Sequence, residues 1–92
     1  MSTAVITTDH DEIRRWAEAR GGRPAVADDP LNRGPGGILR IDFDGDGGDD
    51  DDARLMDVPW EEFFRIFERN GLAFLTQEGG PDERFNKFVE RA

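Results

Sequence analysis

Seven of the eleven residues from Asp42 to Asp52 are aspartates, and no other stretch of the chain pairs residue type with spacing so suggestively. Asp42, Asp44, Asp46 and Asp50 fall in the pattern Asp-x-Asp-x-Asp-Gly-x-x-Asp, with Gly47 at the sixth position. Hard cations such as calcium need about six to eight oxygen ligands around one point. Alternating carboxylates supply them when a glycine lets the backbone fold round the ion. These four aspartates are therefore the candidate metal ligands, and calcium the candidate ion. Ala53 stands at the twelfth position and Asp49 at the eighth, so a bidentate glutamate and an apolar anchor are both missing. The affinity expected is the weak class of roughly 0.1–1 mM. The alternative is a solvated acidic tip, made extensible by Gly45, Gly47 and Gly48.

Other chemistry is less marked. His10 is the sole histidine and sits between Asp9 and Asp11 at a helix start, where an exposed first-turn residue is the ordinary outcome. A general base there would need a nucleophile, and none is marked. Carboxylate pairs abound but have no specific spacing, and Glu61 and Glu62 suit the positive end of a helix dipole. Gly36-Gly37 and Gly79-Gly80 lack the lysine and the strand–loop–helix context of a phosphate loop. The chain has no cysteine, which excludes disulfides, thiolate nucleophiles and zinc–thiolate sites. No catalytic residue is assigned.

The elements that must position these residues read as follows. Ala4 to Thr7 is β-prone. Thr8 with Asp11, or Asp9 with Glu12, caps a helix whose apolar stripe is Ile13, Trp16 and Ala17. Gly21-Gly22 ends it. Arg23 to Ala27 is a brief strand, and residues 28–37 form a loop. Ile38 to Phe43 is a strand with Leu39, Ile41 and Phe43 on one face. The aspartate tract follows as a hairpin tip over residues 42–52, with Arg54 to Val58 as the return strand. Pro59 opens a second helix carrying Trp60, Phe63, Phe64 and Phe67 at i, i+3, i+4 and i+7. Asn70-Gly71 stops it, and Leu72 to Glu78 is a strand. Arg84 to Arg91 fits either element, and the turn spacing favours a hairpin. Residues 12–18 and 62–68 echo each other, each followed by a glycine stop. The expectation is a single α+β domain over residues 1–92, a mostly antiparallel sheet with two amphipathic helices on one face.

A formal charge of −9 argues against direct binding to nucleic acid phosphates. It fits a solubilising surface, a basic partner, or an acidic mimic of nucleic acid. No apolar run reaches membrane-spanning length and no leader is evident, so a cytoplasmic location is expected. Both flanks of the second helix are apolar through Phe64 and Ile66, which suits a homodimer through that patch or through a sheet edge.

The aspartate pattern resembles the first nine residues of EF-hand loops, and also the calcium loops that bridge strands in integrin-type propellers. Residues 6–25, 37–43 and 60–78 together resemble a family of short bacterial and archaeal proteins, uncharacterised or labelled 1,4-alpha-glucan branching enzyme. In that family the loop matching Asp42–Asp52 does not carry such an aspartate run. The resemblance implies a small domain without implying branching activity, because such enzymes use a (β/α)₈ barrel of roughly 250 residues. The function expected is therefore a non-enzymatic domain acting through a protein partner, with a calcium module or a nucleic-acid mimic as alternatives.

Overall fold

Two ten-residue helices, α1 (His10–Ala19) and α2 (Trp60–Arg69), are started and stopped by local devices in the sequence. The computed structural model describes residues 3–27, 39–43, 55–79 and 82–91. Asp9 caps α1 by accepting from the Glu12 amide at 3.1 Å. Glu12 does not reach back to Asp9 directly. The Asp9 amide donates to Thr7 Oγ1 at 3.1 Å, and Thr7 Oγ1 donates to Glu12 at 2.7 Å, so Thr7 completes the reciprocal cap. Pro59 precedes α2 with φ −65°, and Glu61 and Glu62 lie against the positive end of its dipole. Gly21 and Gly71 follow the helices with φ of 77° and 60°, the left-handed turn that glycine takes at least cost.

Six strands complete the fold: β1 (Thr3–Thr7), β2 (Gly22–Ala27), β3 (Leu39–Phe43), β4 (Leu55–Asp57), β5 (Leu72–Glu78) and β6 (Asn86–Glu90). The α+β class and the antiparallel pairing are as expected, but the strands form two sheets of three, in the orders β1-β5-β6 and β3-β2-β4. The ambiguous C-terminal segment is a strand, pairing antiparallel with β5.

One expected pairing is corrected. β3 and β4 are not hairpin partners, because each pairs with β2 on opposite sides. The aspartate tract therefore joins two strands separated by a third. The physical reason is burial: Pro24 to Ala27 are all buried, which makes β2 the centre of its sheet. The loop expected at 28–37 and residues 44–52 of the tract lie outside the described residues.

The internal echo corresponds to a repeated β-α-β-β unit. His10 in α1 matches Trp60 in α2, Gly21 matches Gly71, and Gly22 opposite Phe43 matches Leu72 opposite Glu90. Each unit gives its first strand to the other's sheet: β1 joins β5, and β4 joins β2. The exchange is not in equal register. Thr7 faces Phe74, whereas its counterpart Asp57 faces Ala25, one residue past Pro24. A one-residue slip turns every side chain of a strand to the other side.

One core joins both units, with Phe63, Phe67, Phe74, Ile13, Leu39 and Leu72 fully buried. Trp16 of α1 meets Phe43 of one sheet and Phe74 of the other edge-on, at 6.1 and 5.3 Å between ring centres. Gly22 is needed for close packing, since a Cβ there would lie 2.6 Å from Ile41 Cγ2.

Candidate functional site

Strand alternation assigns two sides to each sheet. In β1-β5-β6, Val5, Thr7, Phe74, Thr76 and Phe88 face the helices. Ile6, Leu75 and Lys87 are register partners on the opposite side, next to Ala73 and Val89. Ile6 is 63% exposed. Leu75 and Val89 are half-buried, while Ala73 is buried beneath its neighbours. The result is an apolar strip across three strands, with the chain's single lysine at its end and, among the described residues, no helix upon it.

The matching side of β3-β2-β4 has the reverse chemistry. Arg23, Arg40, Asp42 and Asp57 project there, with small Ala25 among them. Arg23 reaches Asp42 at 3.3 Å and Asp57 at 3.5 Å, tying all three strands together. Asp42, the first of the four proposed calcium ligands, is thus a strand residue facing an arginine. Asp44, Asp46 and Asp50 lie outside the described residues. Among the described residues no group of three acidic or histidine side chains is placed to hold a metal ion.

A polar cluster straps the helices together. Glu68 lies in the last turn of α2, where a negative charge meets the negative end of the dipole. Arg91 and His10 offset that placement. Arg91 grips Glu68 with two bonds at 3.1 and 3.0 Å, and His10 Nε2 lies 2.8 Å from Oε2, the oxygen that also accepts from Arg91 Nη2. The Arg91 guanidinium first, and then His10, hold the Glu68 carboxyl down to about 2, while Glu68 raises the Arg91 pKa. With Glu68 ionised, Nε2 of His10 must be the donor. His10 is therefore not the freely exposed first-turn residue expected. Its ring stacks on Phe64 at 4.1 Å, and Phe64 stacks in turn on Trp60 at 5.3 Å. Trp60 Nε1 donates to Glu18 at 3.3 Å, so the first residue of each helix reaches the ninth residue of the other. Phe64 and Ile66, the proposed dimer patch, are half-buried and pack against the core.

His10 bonds Glu68, and the Thr7 hydroxyl is committed to Glu12. Sequence reading located His10 but missed Glu68 and Arg91, which come from distant segments. It also missed the apolar sheet side, which emerges only when strand register brings Ile6, Leu75 and Val89 together. Among the described residues no helix is long and apolar enough to cross a membrane. No family model matches the chain, and no curated protein or solved structure proved similar to it.

Proposed function

We propose that the protein is a non-enzymatic interaction domain of the cytoplasm that docks a protein partner on the open side of β1-β5-β6. One observation carries this reading. Two sheets built on the same plan differ outwardly, one closed by an Arg23–Asp42–Asp57 ladder and the other presenting Ile6, Leu75 and Val89. An exposed apolar strip costs solubility in a chain otherwise rich in charge, and such strips mark contact surfaces. Burying Ile6 and Leu75 at a contact is worth on the order of 2 kcal/mol each before the cost of association.

The size of the strip sets the kind of contact. Three strands about 4.8 Å apart and about five residues long give on the order of 200–300 Å². A stable interface needs about 800 Å² from each partner. The contact is therefore transient, with Lys87 at its rim favouring an acidic residue on the partner.

Photo-crosslinking from residue 6 in living cells tests the proposal. A discrete product is expected that is lost in Leu75→Arg and retained in Arg65→Gln on the far side of α2. A product of twice the chain mass would identify the partner as a second copy. A diffuse smear unchanged by Leu75→Arg would refute the docking face.

A further inference from the structure

Eleven arginines serve this chain, and three of them show the usual use of the residue in an acidic surface. Arg23 pairs with Asp42 and Asp57, Arg65 with Glu62, and Arg91 with Glu68. Arg20 and Arg84 are different. Among the described residues neither makes an ion pair, although the chain holds 21 acidic residues.

Both are nevertheless held in place. Arg20 donates through Nε to the Glu83 carbonyl at 2.8 Å and through Nη1 to the Trp16 carbonyl at 3.0 Å. Its Cζ lies 4.4 Å from the centre of the Trp16 ring. Trp16 meets Phe43 edge-on, and Arg84 Cζ lies 5.1 Å over Phe43 on β3. The four side chains thus form a run of cation, ring, ring and cation. Aromatic faces and carbonyls fix a guanidinium without quenching its charge, so its remaining N–H groups stay available.

The two cations open on adjoining hollows near β3 and the start of β6. One, of about 420 Å³, lies between Arg20, Asp82, Glu83 and Arg84. The other, of about 460 Å³, has Arg40, Asp82, Arg84 and Asn86 as its polar lining, with Ile41, Phe43 and Phe85 as apolar wall. Arg84 and Asp82 border both. Asp82 turns its Oδ1 to the Arg84 amide at 2.9 Å, so that oxygen is engaged in the turn. Among the described residues, Arg20 and Arg84 thus bring two guanidiniums held without an acidic partner to the shared border of these hollows.

We propose that this cleft binds a small organic oxyanion, a phosphate monoester carrying an apolar group. The phosphate would sit between the Arg20 and Arg84 guanidiniums, whose planar forks suit two oxygens at once. The apolar group would lie against Phe43 and Phe85, while the Asn86 side-chain amide donates to the Arg84 carbonyl at 2.9 Å and so holds the turn that carries Arg84. This site is separate from the sheet side proposed for protein docking, and neither reading depends on the other.

Titrations monitored by amide NMR test it with three probes: inorganic phosphate, phenyl phosphate and benzoate. Phenyl phosphate is expected to give saturable shifts at residues 40–43 and 82–86, with affinity at least about tenfold above inorganic phosphate. Benzoate is expected to fall below phenyl phosphate, and benzoate binding tighter would overturn the phosphate assignment. Arg84→Gln should weaken phenyl phosphate by about tenfold or more, as loss of a charge-assisted pair does. Arg84→Lys should recover part of that loss, and Arg65→Gln should change nothing. Arg84 is exposed, so its variants are expected to fold, and an unchanged amide spectrum elsewhere checks this. The proposal fails if about 20 mM phenyl phosphate gives no saturable shift, or if Arg84→Gln binds it as the parent does.

Discussion

On the outward side of β3-β2-β4, Arg23 lies within 3.3 Å of Asp42 and 3.5 Å of Asp57, whereas the outward side of β1-β5-β6 carries Ile6, Leu75 and Val89. The two sheets share one plan of helix, glycine turn and paired strands, so the backbone does not account for the difference. Side-chain choice and register do. Leu75 stands where the other unit has Ala25, and the one-residue slip places Ile6 outward while Met56, its counterpart, turns towards the helix side. Ile6 and Met56 are similarly exposed, at 63% and 58%. Exposure alone therefore does not make a contact surface. What distinguishes Ile6 is its apolar neighbours across the strands.

The comparison rests on both sheets sharing a core, and Phe63→Ala challenges that most severely. Phe63 is fully buried between the sheets and touches Trp60, Phe64 and Phe88. Its truncation should cost about 3–5 kcal/mol, a large part of the roughly 5–15 kcal/mol that holds such a domain together. Urea unfolding should show one transition, with the amides of β2 and β5 losing protection together. Separate transitions would mean that the sheets are independent.

Changing one face into the other is the next step. Leu75→Arg gives the apolar side a charge like that of its counterpart, and stability should move by less than about 1 kcal/mol because Leu75 is only half-buried. Crosslinking from residue 6 should nevertheless disappear. On the charged side, Arg23→Ala should cost about 0.5–1 kcal/mol at low salt, and less in about 0.5 M salt, because its bridges are partly exposed. Ile6→Ser should show no such salt dependence, and denaturant midpoints at two salt concentrations separate the two cases.

The helix strap is expected to give the smallest effect, and it depends on pH. The carboxyl of Glu68 is held at about 2 in the folded chain against an ordinary 4.5, first by Arg91 and then by His10. A lowered folded value means that this contribution is complete above about 4.5 and fades as pH falls through 2. Glu68→Gln should therefore lower the melting temperature near neutrality and converge with the parent near pH 2. Glu18→Ala, which loses one bond of 3.3 Å from Trp60, should lower it less.

Much of the fold was legible because helix signals are local. The Phe63/Phe67 stripe, the Asp9 cap and the glycine stops all act within a few residues, and each element lies within a residue or two of its expected place. Pairing was not legible to the same degree. Pro24 lacks a ladder donor, which ordinarily confines proline to sheet edges, yet β2 is the central strand of its sheet. The exchange of β1 and β4 joins segments far apart in the chain, and no local pattern encodes it. The same holds for the site. Ile6, Leu75 and Val89 each looked ordinary in sequence, and only the register brings them to one side. Arg20 and Arg84 likewise meet through Trp16 and Phe43, which sit on different elements.

The central claim is that one outward sheet side meets a partner and its counterpart does not. Amide spectra recorded inside living cells test it most directly, by comparing residues 4, 6, 73, 75, 77, 87 and 89 with residues 23, 25, 40, 42 and 57. The account predicts selective broadening of the first group, recovered on lysis and dilution and absent in Leu75→Arg. Equal broadening of both groups, or broadening unaffected by Leu75→Arg, would contradict it.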